Sequence, residues 1–245
     1  MKVNNGMFLE IDYTGKIKDG MVFDTTILDV AKNNELFEKD KLYRPVRLCV
    51  GRGHVIKGLD VSLEGKDIGE EYSIEISPDD AFGKRSAGLI KLVPLSQFKK
   101  SDINPSPGLS VQINDTIGVI KNVSGGRVLV DFNNPLSGKD VIYDVKVVKE
   151  IEKTQEKIEC ILQNRLGLKT EGIEFDDGKA KIIVKYNLPP QVIELVSKEI
   201  KECINDVKEI LFEEKKEDKP KSEDPEIKQS PSPEDKSDKE PKQAP

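Results

Sequence analysis

The only histidine of the 245-residue chain sits in the stretch GRGHVIKGLD, residues 51–60, a setting that invites a general-base reading. A histidine triad also needs a nucleophile on a strained turn and an orienting carboxylate, and no nucleophile elbow accompanies it. One histidine cannot build a multi-histidine metal site, so His54 reads as a surface or loop residue. Gly51-x-Gly53 lacks both the Lys-Ser/Thr of a phosphate loop and the spacing of a dinucleotide fingerprint. The carboxylate pairs Asp79-Asp80 and Asp176-Asp177 lie at turns, where they serve backbone geometry and solvation. Cys49, Cys160 and Cys203 are far apart, form no CxxC, and read as buried reduced thiols. No cofactor and no metal is expected. What remains is a set of apolar residues where strands meet loops: Tyr13, Phe23 beside Asp24, Val55-Ile56 and Phe82. Taken singly, each fits core packing as well as a pocket.

Elements must bring these residues together. Met7, Leu9, Ile11 and Tyr13 alternate, which predicts a strand with one face inward. Ile17 and Met21-Val22 flank Asp19-Gly20, a hairpin signal because both central residues tolerate positive φ. An irregular charged stretch with a short helical turn runs to about Arg44. Val46, Leu48 and Val50 form the next strand, stopped by Gly51. Ile56, Leu59 and Leu63 then fall on one face of a short helix closed by Gly65. Tyr72, Ile74 and Ile76 alternate in EEYSIEI, and Val141, Tyr143, Val145 and Val147 alternate in DVIYDVKVV. An antiparallel sheet curled around one short amphipathic helix accounts for all of these. The implied domain comprises residues 1–84 plus 133–152.

Between AFG (81–83) and the last strand lie β signals of their own: LIKLVPL, LSVQI, TIGVI and RVLVDF. Residues 85–132 are therefore expected to be a small β-domain inserted into a loop of the first. A third unit, 153–213, follows with the order αββαβ. Its first helix carries Ile158, Ile161, Leu162 and Leu166 and ends at Gly167. A turn at Asp176-Asp177-Gly178 joins two strands. Pro189-Pro190 opens a helix with an apolar face of Val192, Leu195, Val196, Ile200 and Cys203, and VKEILF closes the unit as a strand. Residues 214–245, rich in proline and charge, are expected to be a disordered tail. The fold class is thus α+β, three units and a tail.

The net charge of −6 comes from mixed acidic and basic residues without a basic stripe, so neither nucleic acid nor a membrane is an expected partner. No apolar run spans a bilayer and the N-terminus lacks a signal-type apolar core, which together predict a cytoplasmic protein.

In order along the chain, YTG, FD, GxxHVIxGLD, AFG and IYDV resemble the FKBP family of peptidyl-prolyl isomerases. The insertion after AFG is similar to the SlyD-like branch with its insert-in-flap chaperone domain, and the C-terminal module to long archaeal members. The resemblance implies that Tyr13, Phe23, Asp24, Val55, Ile56, Leu59, Phe82 and Tyr143 form the isomerase pocket. It further implies that the Ile56 N–H holds a substrate carbonyl and that Asp24 lies near the rotating one. Leu59 stands where many eukaryotic relatives have tryptophan, Val46 where an aromatic is common, and Phe82 where tyrosine occurs. The resemblance then implies a shallower, less aromatic pocket floor, and it does not carry over tight binding of the family's macrolide inhibitors. SlyD proteins often end in a histidine-rich metal-binding tail; this tail has no histidine, so nickel handling is not implied. In the insertion, Leu92, Val93, Leu95, Phe98, Val111 and Val119 are candidates for a chaperone groove, each equally suited to a core. Unfolded, proline-containing polypeptides are the implied partners. A homodimer through the C-terminal module is a further expectation. The competing reading is a non-catalytic binding protein on the same scaffold.

Overall fold

The computed structural model describes residues 1–18 and 20–215. Asp19 and most of the charged tail, 216–245, lie outside the described residues, and with them the tail's expected disorder.

The first unit is built on the ten-residue strand β1 (Phe8–Ile17). One edge of β1 pairs along its whole length with β9 (Val141–Glu150), antiparallel. The other edge is shared, with β3 (Val46–Cys49) along its first half and β2 (Val22–Thr25) along its second. The strand β4 (Glu71–Ile76) continues the sheet beyond β9. The short helix α1 (Leu28–Asn33) follows β2. The helix α2 (Lys57–Leu63) lies in the curl of the sheet, and Gly65 beyond it takes the left-handed conformation with φ 80°. Leu9, Ile11, Leu48, Leu59, Leu63, Ile74, Ile76, Val145 and Val147 make the core, as the alternation of each strand predicts.

The opposite face of β1 is also buried. Phe8, Cys49 and Ile151 share a second core with the C-terminal module. That module comprises α4 (Thr154–Leu166), the hairpin β10 (Gly172–Asp176) and β11 (Lys179–Val184), α5 (Pro190–Cys203) and β12 (Glu209–Glu214). The hairpin turns through Asp177 and Gly178, both at positive φ, and β12 returns parallel to β11 after the α5 crossover. Two expectations need correction here. Leu195 is 70% exposed and does not belong to the buried stripe of α5. It lies about 120° round the helix from the Val196–Ile200 direction, because each residue advances by about 100°. The closing strand begins at Glu209, leaving Val207 buried in the preceding turn.

Between β4 and β9 a separate sheet runs in the order β5 (Ile90–Pro94), β8 (Arg127–Asp131), β7 (Thr116–Ser124), β6 (Ser110–Ile113). A six-residue helix, α3 (Leu95–Lys100), covers it and seats Phe98 in its core. The two strands of chain leading into this sheet are tied together. Ser86 N donates to Asn133 Oδ1 at 2.8 Å, Asn133 Nδ2 donates to Ser86 O at 3.0 Å, and Arg85 pairs with the buried Asp131. Gly138 N donates to Gly83 O at 2.9 Å just beyond. Among the described residues no helix is long and apolar enough to cross a membrane.

Candidate functional site

A cavity of about 540 Å³ opens at the end of the curled sheet. Tyr13 comes to it from β1, Phe23 and Asp24 from β2, Leu59 from α2 and Tyr143 from β9. Val55 and Ile56 enter from the turn before α2, and Phe82 from the loop after β4. All eight residues expected at the pocket thus converge on one space. Three further residues line it: Val46 on β3, His54 in the turn, and Leu136 on the chain returning from the inserted sheet.

The rings form one connected wall. Phe23 meets Phe82 edge-on with centroids 5.7 Å apart and Tyr143 at 5.8 Å, while Tyr13 and Tyr143 lie 5.5 Å apart. Behind the wall stands Gly15, the third residue of the YTG run. A Cβ there would approach Phe23 Cζ to 2.8 Å and Tyr143 Cε1 to 3.2 Å, so the glycine is what lets both rings lie flat against β1. Leu59 is 1% exposed and closes the floor.

The polar edge is a charge-assisted network. The Tyr13 hydroxyl donates to Asp24 Oδ2 at 2.6 Å; Asp24 Oδ1 accepts from Lys41 Nζ at 2.7 Å and from Thr25 N at 2.9 Å. Burial acts to raise the Asp24 carboxyl, yet the hydrogen bonds from Lys41 and Tyr13 and the Lys41 charge outweigh it and hold the group below its ordinary value. Burial, and then the Asp24 carboxylate, push the hydroxyls of Tyr13 and Tyr143 up, that of Tyr143 to about 12. Both therefore stay protonated as donors at neutral pH. The long segment 34–45 delivers Lys41. Phe37 stacks on Tyr43 at 6.0 Å, and the Tyr43 hydroxyl donates to Leu36 O and accepts from Glu38 N. Sequence reasoning missed Lys41, one of many lysines in an aperiodic charged stretch, and Leu136, which no periodicity marks.

His54 is not a surface residue. Its side chain is 1% exposed, its Nδ1 accepts from Cys49 N at 3.0 Å, and burial followed by the nearby Arg165 charge keeps the ring below its ordinary pKa. The turn holding it is closed from within by buried Asp60, whose two oxygens accept from Gly51 N at 2.8 Å and Gly53 N at 2.9 Å. Among the described residues no hydroxyl or thiol hydrogen-bonds to this ring. The arrangement can enclose an apolar ring, strip water from its surroundings and present donors at one edge.

The six residues considered for a groove in the inserted sheet separate. Val93 is buried in its core and Leu95 packs against that core, while Phe98 and Val111, also core residues, line a cavity of about 270 Å³ beside α3. The strand register puts Leu92 and Val119 on the opposite face, with Leu129 and Ile117. Leu92 is 59% and Ile117 68% exposed.

Residues 1–105 match the family model described as FKBP-type peptidyl-prolyl cis-trans isomerase, and residues 91–136 match one described as FKBP26, IF domain. A short-type peptidyl-prolyl cis-trans isomerase of Methanocaldococcus jannaschii is 32% identical over 145 residues, covering 59% of this chain and 92% of its own. A probable FKBP-type 16 kDa peptidyl-prolyl cis-trans isomerase of Pseudomonas fluorescens is 34% identical over 42% of this chain and 71% of its own. The FKBP-type isomerase SlyD of Haemophilus influenzae is 28% identical over 64% of this chain and 77% of its own.

Proposed function

The chain belongs to the FKBP-type peptidyl-prolyl cis-trans isomerase family and is a prolyl isomerase, and we propose that the cavity bounded by Tyr13, Phe23, Asp24, Val55, Ile56, Leu59, Phe82 and Tyr143 is where the X-Pro bond turns. The observation that carries this assignment is the convergence of four aromatic rings and one hydrogen-bonded carboxylate, from four separate segments, on one apolar space.

Rotation about a peptide bond costs about 18–20 kcal/mol because amide resonance must be lost. X-Pro bonds populate both isomers, yet exchange unaided over tens to hundreds of seconds. No bond forms or breaks, so the site must bind the twisted amide better than the planar one. The rings of Phe23, Phe82, Tyr13 and Tyr143 wall the proline over a floor of Ile56 and Leu59. They exclude the water that hydrogen-bonds best to the resonant, planar carbonyl. Ile56 is the N-cap residue of α2, so its N–H has no intrahelical acceptor and is free to hold a substrate carbonyl in register. Asp24, fixed by Tyr13, Lys41 and Thr25, gives the rotating carbonyl a constant electrostatic partner. Cis/trans exchange on an X-Pro peptide tests the assignment by comparing the intact chain with Asp24→Ala and Phe82→Ala. Slower exchange in both variants is expected, and equal rates in all three overturn it.

Residues 1–84 plus 133–152 would then be the isomerase domain, 85–132 an insert-in-flap chaperone domain and 153–213 a C-terminal module. Phe82 and Leu136 stand on the two chain segments that lead to the insertion, which puts its neck at the pocket rim. We assign chaperone activity to the face bearing Leu92, Val119, Leu129 and Ile117, which can take an extended apolar segment of an unfolded client. A second contact of this kind raises the concentration of substrate at a pocket that grips one proline briefly. If a chain lacking 85–132 refolds proline-limited proteins as well as the intact one, this role is wrong. A homodimer through the C-terminal module could use α5, where Leu195 and half-buried Val192 offer apolar surface, or the outer face of its sheet, where Leu211 is 54% exposed. The outer face of its sheet is crossed by the ion pairs Lys179–Glu209 and Lys181–Glu213. A monomer by light scattering at micromolar concentration counts against it. The three unpaired thiols suit a cytoplasmic setting.

A further inference from the structure

The turn between β3 and α2 sets the pocket floor, since it carries His54, Val55 and Ile56 to the cavity. From inside, Asp60 and the Cys49 N–H hold it. From outside, the C-terminal module holds it as well. Arg165 Nη2, on α4, donates to the Arg52 carbonyl at 2.7 Å. The same guanidinium grips Glu199, on α5, through Nε at 2.8 Å and Nη2 at 2.7 Å. Glu199 Oε1 in turn stands 3.8 Å from His54 Nε2. Because Nδ1 accepts from Cys49, the neutral ring carries its proton on Nε2, and that buried N–H has no hydrogen-bond partner among the described residues. The Glu199 carboxylate is the nearest group of opposite polarity, held just short of it by Arg165.

We propose that Arg165 and Glu199 are positioning residues for prolyl isomerisation, through which the C-terminal module fixes the depth of Val55 and Ile56 in the pocket. The inference rests on the pocket assignment above. Neither residue lines the cavity. Each acts on the turn, Arg165 through the Arg52 carbonyl and Glu199 through the His54 ring. Loss of either contact lets the turn relax outward, and a substrate carbonyl at the Ile56 N–H falls out of line with the rings.

The His54 ring also provides a signature that a purely structural role lacks. Arg165 faces it from α4, Glu199 from α5 and Asp60 from α2, with Arg52 on its own turn. Burial and Arg165 favour the neutral ring, while Glu199 and Asp60 favour the charged one. A second proton would sit on Nδ1 and break the bond from Cys49. Without Arg165 the ring should therefore protonate at higher pH than in the intact chain, and the turn should loosen with it.

The test uses the full chain with Arg165→Met, Glu199→Gln and, as a control, Asn164→Ala. Asn164 Nδ2 donates to the Arg47 carbonyl at 2.9 Å, so the control removes a link between the same two units away from the turn. Exchange on an X-Pro peptide should lose about fivefold in kcat/KM for the first two variants, the worth of about one hydrogen bond, with the control unchanged. Arg165→Met should lose further activity as pH falls, with its acid limb at higher pH than that of the intact chain, because the Arg165 charge no longer favours the neutral ring. Wild-type kcat/KM in both variants, an equal loss in Asn164→Ala, or an unmoved pH profile overturns the proposal. Asp24→Ala, run alongside, reports on the pocket itself. Full activity there removes the pocket assignment, and this proposal with it.

Discussion

Replacing Gly15 by alanine puts one methyl group where the pocket wall already stands. Its Cβ would lie 2.8 and 2.9 Å from the Phe23 ring and 3.2 Å from that of Tyr143. Carbon atoms in comfortable contact are about 3.5–4.0 Å apart, so the Phe23 ring must retreat by about 0.7–1 Å. It is braced edge-on by Phe82 and Tyr143, and the yielding direction is away from β1, toward the cavity. Two terms set the stability. Alanine restricts the unfolded chain, worth about 0.4–1 kcal/mol in its favour, and Gly15 has no positive φ to strain. Overpacking costs about 1–3 kcal/mol, so the net loss is between nothing and about 2.6 kcal/mol. Activity should suffer more, because a wall displaced by about 1 Å spoils the alignment on which rate depends. A tenfold or greater fall in kcat/KM is expected, equivalent to about 1.4 kcal/mol of transition-state binding. NMR exchange on a proline peptide measures the rate, and urea unfolding measures the stability. Gly88→Ala is the control, since its nearest neighbour, Ser86 Oγ, is 3.5 Å away. A Gly15→Ala chain that isomerises at the native rate refutes the steric account of the YTG run.

Leu59→Ala should destabilise by about 2–5 kcal/mol in urea, since the side chain is fully buried and the floor cannot collapse onto the space it leaves. A cost under about 0.5 kcal/mol would mean that the site is already open to water. Lys41→Met tests the polar edge through pH. Asp24 titrates below its ordinary 3.8, so the stability it contributes is present above that value and lost as pH falls through the lower, folded one. Without Lys41 the carboxyl should titrate higher, and the acid limb of both stability and activity should move up. Carbon-13 NMR of the Asp24 carboxyl reads this directly, and a titration identical to that of the intact chain removes Lys41 from the network.

The strands were legible because burial on one face writes a period of two, as Leu9/Ile11 and Val145/Val147 show. The pocket was legible for a different reason. Tyr13, Tyr143 and Leu59 belong to periodic runs, but Phe23, Asp24, Val55, Ile56 and Phe82 sit in a short strand and in turns where no period operates, and only the order of all eight along the chain marked them as a set. The same limit left core and surface unseparated in the inserted sheet. In LIKLVPL the apolar residues 89, 90, 92, 93 and 95 do not alternate, so nothing told Leu92, which is exposed, from Val93, which is core. The six residues of α3 are too few for a helical period to stand out from that run. Glu199 and Arg165 look like surface charges on amphipathic helices. Their contact with the pocket turn exists only because Phe8, Cys49 and Ile151 pack the module against the back of β1.

The pocket therefore has neighbours on two sides that a bare isomerase domain would lack. The inserted sheet leaves the fold between Phe82 and Leu136, both of which line the cavity, while the C-terminal module bears on the turn before Ile56. Isomerisation gives such additions something to act on. Catalysis here is the difference in binding between twisted and planar amide, so moving any wall by a fraction of an ångström changes the rate without touching a reacting group. A client seated on the Leu92–Ile117 face would pull at the neck that Arg85, Asp131 and Asn133 tie shut, one residue pair beyond the Phe82 wall. If the two sites are coupled, a neck held this closely would carry such a load to Phe82. Loosening it by Asn133→Ala should lower the rate on an unfolded protein more than on a short peptide, which never reaches the inserted sheet. Equal losses on both substrates would mean that the two sites work independently.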